Sequence, residues 1–124
     1  MIGIRGLLDI VKANPRYAAE AYVFVIEALE HYREKMGIEG HITGRQLLDG
    51  IRDLAIKRYG AMSKMVFEHW GITKTIDFGN IVMNMVNAKV LGKTQQDSIE
   101  DFADVYDFDK VFVDEYRPGD EENT

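Results

Sequence analysis

The sequence predicts a mainly α-helical fold: a compact helical domain, winged-helix-like in its second part, with a short C-terminal β ribbon. Three observations carry this expectation. Apolar residues recur at helical spacing as far as Leu91, the helical runs end at glycines, and one helix start has a reciprocal capping pattern. At 124 residues and 46% apolar content the chain suits a single domain over positions 1–113, followed by an acidic flexible tail over 114–124 that contains Pro118-Gly119.

Ile4, Leu7, Leu8 and Val11 form the apolar stripe of a short opening helix that stops before Asn14-Pro15. Asn14 as N-cap and Pro15 at the first helical position predict a long helix over about 15–36, with a seam of Ala18, Tyr22, Val25, Leu29, Tyr32 and Met36 and a stop at Gly37. Its first half is apolar almost all round, so it is expected to lie between other elements. Thr43-Gly44-Arg45-Gln46 is a capping box ahead of Leu47, Leu48, Ile51 and Leu54, and predicts a helix ending at Gly60.

A third core helix is expected over about 61–70, with Met62, Met65, Val66 and Trp70 inward and Gly71 as terminator. Thr75 caps the next, over about 76–91, which buries Phe78, Ile81, Val82 and Met85 and ends at Gly92. Residues 89–94 and 101–108 are then expected to pair as two antiparallel strands, because Phe102, Val105, Tyr106 and Phe108 suit a strand. Three helices over 43–91 followed by a ribbon to 108 form the plan of a winged helix-turn-helix.

Charge is distributed unevenly. Residues 97–124 carry 11 Asp/Glu against two Lys/Arg, whereas residues 1–96 carry 13 Lys/Arg against 10 Asp/Glu. A sequence pI near 5.0 argues against general affinity for nucleic acid, which depends on clustered cations. The absence of cysteine removes disulfides, thiol nucleophiles and Cys-built zinc sites. No signal-like start and no membrane-length apolar run occurs, so the cytoplasm is the expected compartment.

Within the winged-helix plan, Lys74, Asn80, Asn84 and Asn87 are the candidate nucleic-acid-binding residues, because asparagine can read adenine through paired hydrogen bonds. Against that use, Asp77 lies on the same helix, which itself carries no Arg or Lys before Lys89, and the supposed wing is acidic. Asp77-Phe78-Gly79 copies a kinase tripeptide and Gly92-Lys93-Thr94 the end of a phosphate-binding loop, but both lack the rest of their motif. His31, His41 and His69 have no metal-ligand spacing, and neither Ser63 nor Ser98 lies in a nucleophile elbow. No catalytic, cofactor-binding or metal-binding residues are therefore assigned, and no cofactor is expected.

Two features favour an interaction module. Met62, Met65, Met83 and Met85 sit on neighbouring predicted helices, with Met83 alone expected to face outward; core filling is their plainer role. Asp101, Phe102, Asp104, Tyr106 and Phe112 interleave acid with aromatic side chains, which would anchor and steer a basic protein partner. The plainer alternative is that the rings close the core of this domain while the acids face water.

The order Tyr17-Ala-Ala-Glu-Ala-Tyr22, Gly44 to Leu48, Gly50-Ile51-Arg52, Trp70-Gly71, Asp77-Phe78-Gly79, Lys93-Thr94 with Asp97, Asp101-Phe102 and Tyr106-Asp107-Phe108 resembles a family of short, uncharacterised bacterial proteins of about this length. The resemblance spans about Tyr17 to Phe112. It implies a bacterial cytoplasmic protein, assigns no activity, and places the acidic aromatic stretch within the domain. The resulting expectation is a cytoplasmic protein-interaction module, with a second copy of the chain (a homo-oligomer) as one candidate partner and a winged-helix nucleic-acid-binding regulator as the alternative.

Overall fold

A computed structural model describes residues 4–91 and 99–114. Five α-helices follow in order: α1 (Ile4–Ala13), α2 (Ala19–Met36), α3 (Gly44–Tyr59), α4 (Ser63–His69) and α5 (Thr75–Asn87). Short 3-10 turns occupy Gly60–Met62 and Ile99–Phe102, and a single π turn occupies Lys110–Asp114. No described helix is long and apolar enough to cross a membrane.

The capping box forms as the sequence predicts. The Gln46 backbone N–H donates to Thr43 Oγ1 (3.1 Å) and the Thr43 N–H donates to Gln46 Oε1 (2.8 Å). Gly37 ends α2 with a left-handed φ of 67°, so its N–H reaches the Arg33 carbonyl. The start of α2 differs from expectation. Asn14 donates both its backbone N–H and its side-chain amide to the Ile10 carbonyl, so it closes α1 rather than opening α2, and Ala18 takes the N-cap position.

Helix α4 is rotated relative to the expected phase. Ser63 and Phe67 are fully buried, whereas Met62 and Met65 are 50% and 60% exposed. The buried Ser63 hydroxyl lies 2.8 Å from the Gly60 carbonyl and 3.0 Å from that of Ala55. Burying this hydroxyl is acceptable only because those acceptors are present, and it fixes which face of α4 turns inward.

The expected β ribbon is absent: no strand occurs among the described residues. The part of the first strand beyond Leu91, together with Gly92-Lys93-Thr94, lies outside them, as does the tail beyond Asp114. The reason for the correction lies in the pattern itself. On a strand, Phe102, Asp104, Tyr106 and Phe108 would share one face, which would put the Asp104 carboxylate among the rings. Instead a 3-10 turn delivers Phe102 to the core and Asp104 takes a left-handed φ of 49°, which turns its side chain to solvent. Lys89 also has a positive φ (62°) and breaks the other predicted strand. Without a ribbon there is no wing, and the winged-helix plan is withdrawn.

Phe24, Phe67, Trp70, Phe78, Phe108 and Phe112 form a connected aromatic core, with Phe67 at its centre. Phe102 fills a slot between α3 and α5 whose walls are the glycines at 44 and 79; a Cβ at either would lie 2.9 Å from the ring or its Cβ. Thr75 Oγ1 donates to the Phe102 carbonyl (2.6 Å) and accepts the Val105 N–H (3.1 Å), and the Tyr106 hydroxyl donates to the Leu48 carbonyl (2.9 Å). The threonine expected to cap α5 thus ties the C-terminal segment to it instead.

Gly71 joins α4 to the corner before α2. Its φ is +90°, and an added Cβ would lie 2.3 Å from the Arg16 carbonyl oxygen. Gly71→Ala is expected to lower stability by about 2 kcal/mol, combining left-handed strain with loss of that approach. Urea titration checks this; an unchanged midpoint would show that the corner can move aside at no cost.

Candidate functional site

Tyr17 leaves the corner between α1 and α2 and passes its hydroxyl to α5, where it donates to Asp77 Oδ1 at 2.6 Å. Asp77 is 1% exposed and sits in the first turn of α5. Its Oδ2 accepts the backbone N–H groups of Thr73 (2.8 Å) and Lys74 (3.1 Å), which lack partners within the helix. Arg16 Nη2 lies 3.0 Å from Oδ1, and its guanidinium stands 5.3 Å from the centre of the Tyr17 ring.

Burial alone would raise the Asp77 pKa. The Tyr17 hydroxyl, the Thr73 and Lys74 amides and the Arg16 charge together outweigh it and hold the carboxyl below its usual value. Burial, followed by the bond to Asp77, pushes the Tyr17 hydroxyl up to about 12. At neutral pH the pair is therefore a neutral phenol donating to a carboxylate. Tyr17 has one proton, committed to Asp77, so its oxygen can only accept from Asn80 Nδ2 (3.0 Å). This direction fixes the Asn80 amide with nitrogen toward the tyrosine. One turn later, Asn84 Nδ2 donates to the hydroxyl of the fully buried Tyr22 (3.0 Å).

Above these bonds runs an open groove of about 640 Å³. Asn14, Arg16 and Tyr17 form one wall, and Asn80, Met83 and Asn84 form the other. Three of the residues singled out by sequence, Asn80, Met83 and Asn84, therefore meet at one site. Asn87 is exposed at the end of α5, and Lys74 is exposed at the opposite end. Arg16 and Tyr17 were missed as site residues; the reciprocal Tyr17–Asp77 placement has no local signature, since the two lie 60 positions apart.

No family model, curated protein or solved structure matches the chain.

The acidic aromatic residues divide by side chain. Phe102 and Phe112 are 2% and 0% exposed, Tyr106 is half-buried, and Asp101 is half-buried, while Asp104 is exposed. Glu100, Asp107 and Asp109 join Asp104 on the outside, where Asp109 pairs with Lys64 at 2.5 Å. A smaller cleft of about 210 Å³ lies between this segment and the start of α5, rimmed by Asp104, Asp107 and Lys74 with Tyr106 and Phe108 among its lining. Among the described residues no three His, Asp or Glu side chains converge to hold a cation.

Proposed function

We propose that the chain is a protein-interaction module that receives a basic partner on the outer face of residues 99–114. The observation that supports this reading is the division just described: the rings turn inward and tie the segment to the core, and the exposed carboxylates of Glu100, Asp104 and Asp107 are left on an ordered surface, beside Asp109 with its Lys64 partner. A fixed array of like charge steers an oppositely charged partner and sets its orientation more than it adds affinity. The cleft rimmed by Asp104 and Asp107 offers a cationic side chain two carboxylates and a neighbouring aromatic lining, with Lys74 as an opposing charge on its rim. In this reading the protein acts in the cytoplasm, and a second copy of the chain is one partner to be tested.

Affinity capture from native lysate, read by mass spectrometry with wild type and with Asp104→Asn/Asp107→Asn, tests the proposal. Wild type is expected to retain a basic protein in a salt-sensitive manner, and the double variant to lose about 1 kcal/mol for each neutralised exposed pair at most. Capture that is equal for both proteins, or absent while size exclusion shows a monomer, would remove its support.

A further inference from the structure

We infer that the groove between the α1–α2 corner and α5 binds an extended polypeptide segment carrying an acidic side chain. This surface is separate from the acidic face of residues 99–114, and it selects the opposite charge.

Asn80 and Asn84 are one helical turn apart, a rise of about 6 Å. Alternate residues of an extended chain repeat every 6.6 Å or about that, and present equivalent backbone groups on one side. Two asparagines at this spacing thus match the main chain of a peptide laid along α5, with Asn87 continuing the row beyond the groove. Each primary amide carries two N–H donors and a carbonyl acceptor, the complement of a peptide C=O and N–H.

The anchoring underneath prepares these amides for the task. Tyr17 and Tyr22 each take one Nδ2 proton, at 3.0 Å in both cases, and so leave each asparagine a second N–H and its carbonyl turned away from the tyrosines. Fixing the amides beforehand reduces the ordering cost of binding. The groove is open rather than enclosed, as a continuous chain requires, and Met83 adds an adaptable apolar contact to the wall that carries the two amides.

Charge defines the occupant further. Arg16 lies on the opposite wall with its side chain 64% exposed, and Lys12 is exposed at the end of α1. Asp77 is buried below and already accepts from four partners, so it orients Arg16 without closing the outward edge of the guanidinium. An Asp or Glu of the bound segment meets that edge.

The test is selection of a phage-displayed library of random linear dodecapeptides on the full chain. Enriched peptides are then synthesised with blocked termini and titrated into ¹⁵N-labelled protein. The expected result is enrichment of Asp or Glu at one position without helical periodicity, with shifts at the Asn80 and Asn84 side-chain amides. Asn84→Ala and Arg16→Gln, each verified as folded by its amide spectrum, are each expected to weaken binding about tenfold. Failure of any sequence to enrich, enrichment of basic peptides, or shifts confined to residues 99–114 would each overturn the inference. If a variant does not fold, the side-chain amide shifts in the wild type decide alone.

Discussion

Asp77→Ala is expected to destabilise the fold by about 3–5 kcal/mol, enough to lower the melting temperature by roughly 15 °C. The carboxylate is 1% exposed and gathers the Tyr17 hydroxyl and the amides of Thr73 and Lys74. Its removal strips the N-terminus of α5 of its cap and leaves donors without acceptors at a site that water reaches poorly. The Arg16 contact adds little, because that side chain is 64% exposed and solvent screens it. Asp77→Asn is expected to fall between the two: whichever way the amide turns, its NH2 faces a donor or displaces Asn80 from Tyr17.

The same carboxyl gives acid sensitivity a direction. Its folded pKa lies below the ordinary value of 3.8, so the stability it contributes is present above that value and lost as pH falls through the folded value. Thermal melts from neutral pH into this range should show a steeper loss for wild type than for Asp77→Asn. Parallel curves would place the acid sensitivity elsewhere.

Phe67→Ala is the second large effect, at about 3–5 kcal/mol. Phe67 is fully buried and contacts Phe24, Trp70, Phe78, Phe108 and Phe112, with ring centroids 5.2–6.0 Å away. Two of those five rings belong to residues 99–114, whose helical content is limited to short turns. Short turns hold little order by themselves, so this segment depends on ring packing. Hydrogen exchange should therefore show protection lost first over 99–114 in Phe67→Ala, while α2 and α3 keep theirs. Uniform loss of protection would mean that the segment and the helices open as one unit.

The helices with local signals could be read from sequence, and the segments without them could not. The capping box of Thr43 and Gln46 and the glycines after Met36 and Tyr59 set both ends of α3 and the end of α2, because they act within one turn. Asn14 misled for the same reason: an asparagine before proline suits either the end of α1 or the start of α2, and the contacts that hold this corner, Tyr17 to Asp77 and the Ala18 N–H to the Trp70 carbonyl, come from distant positions. Met62 and Met65 were expected inward on hydropathy, whereas the phase of α4 is set by the buried Ser63 hydroxyl. The C-terminal pattern alternates as a strand would. Its outcome depends on a slot walled by residues 44 and 79, which no window around Phe102 contains. The groove was partly visible, as an outward row of asparagines on α5, but its second wall comes from Arg16 and Tyr17.

The closing position of Phe102, Phe108 and Phe112 also bears on synthesis. A chain made from its N-terminus completes α1 to α5 before these rings are added. Until then Phe67 and Phe78 face a floor with no cover, and the glycine slot stands empty. A nascent chain that has reached the end of α5 but not yet Phe102 is therefore helical, adhesive and unfinished, and the arrival of residues 102–112 ends that stage.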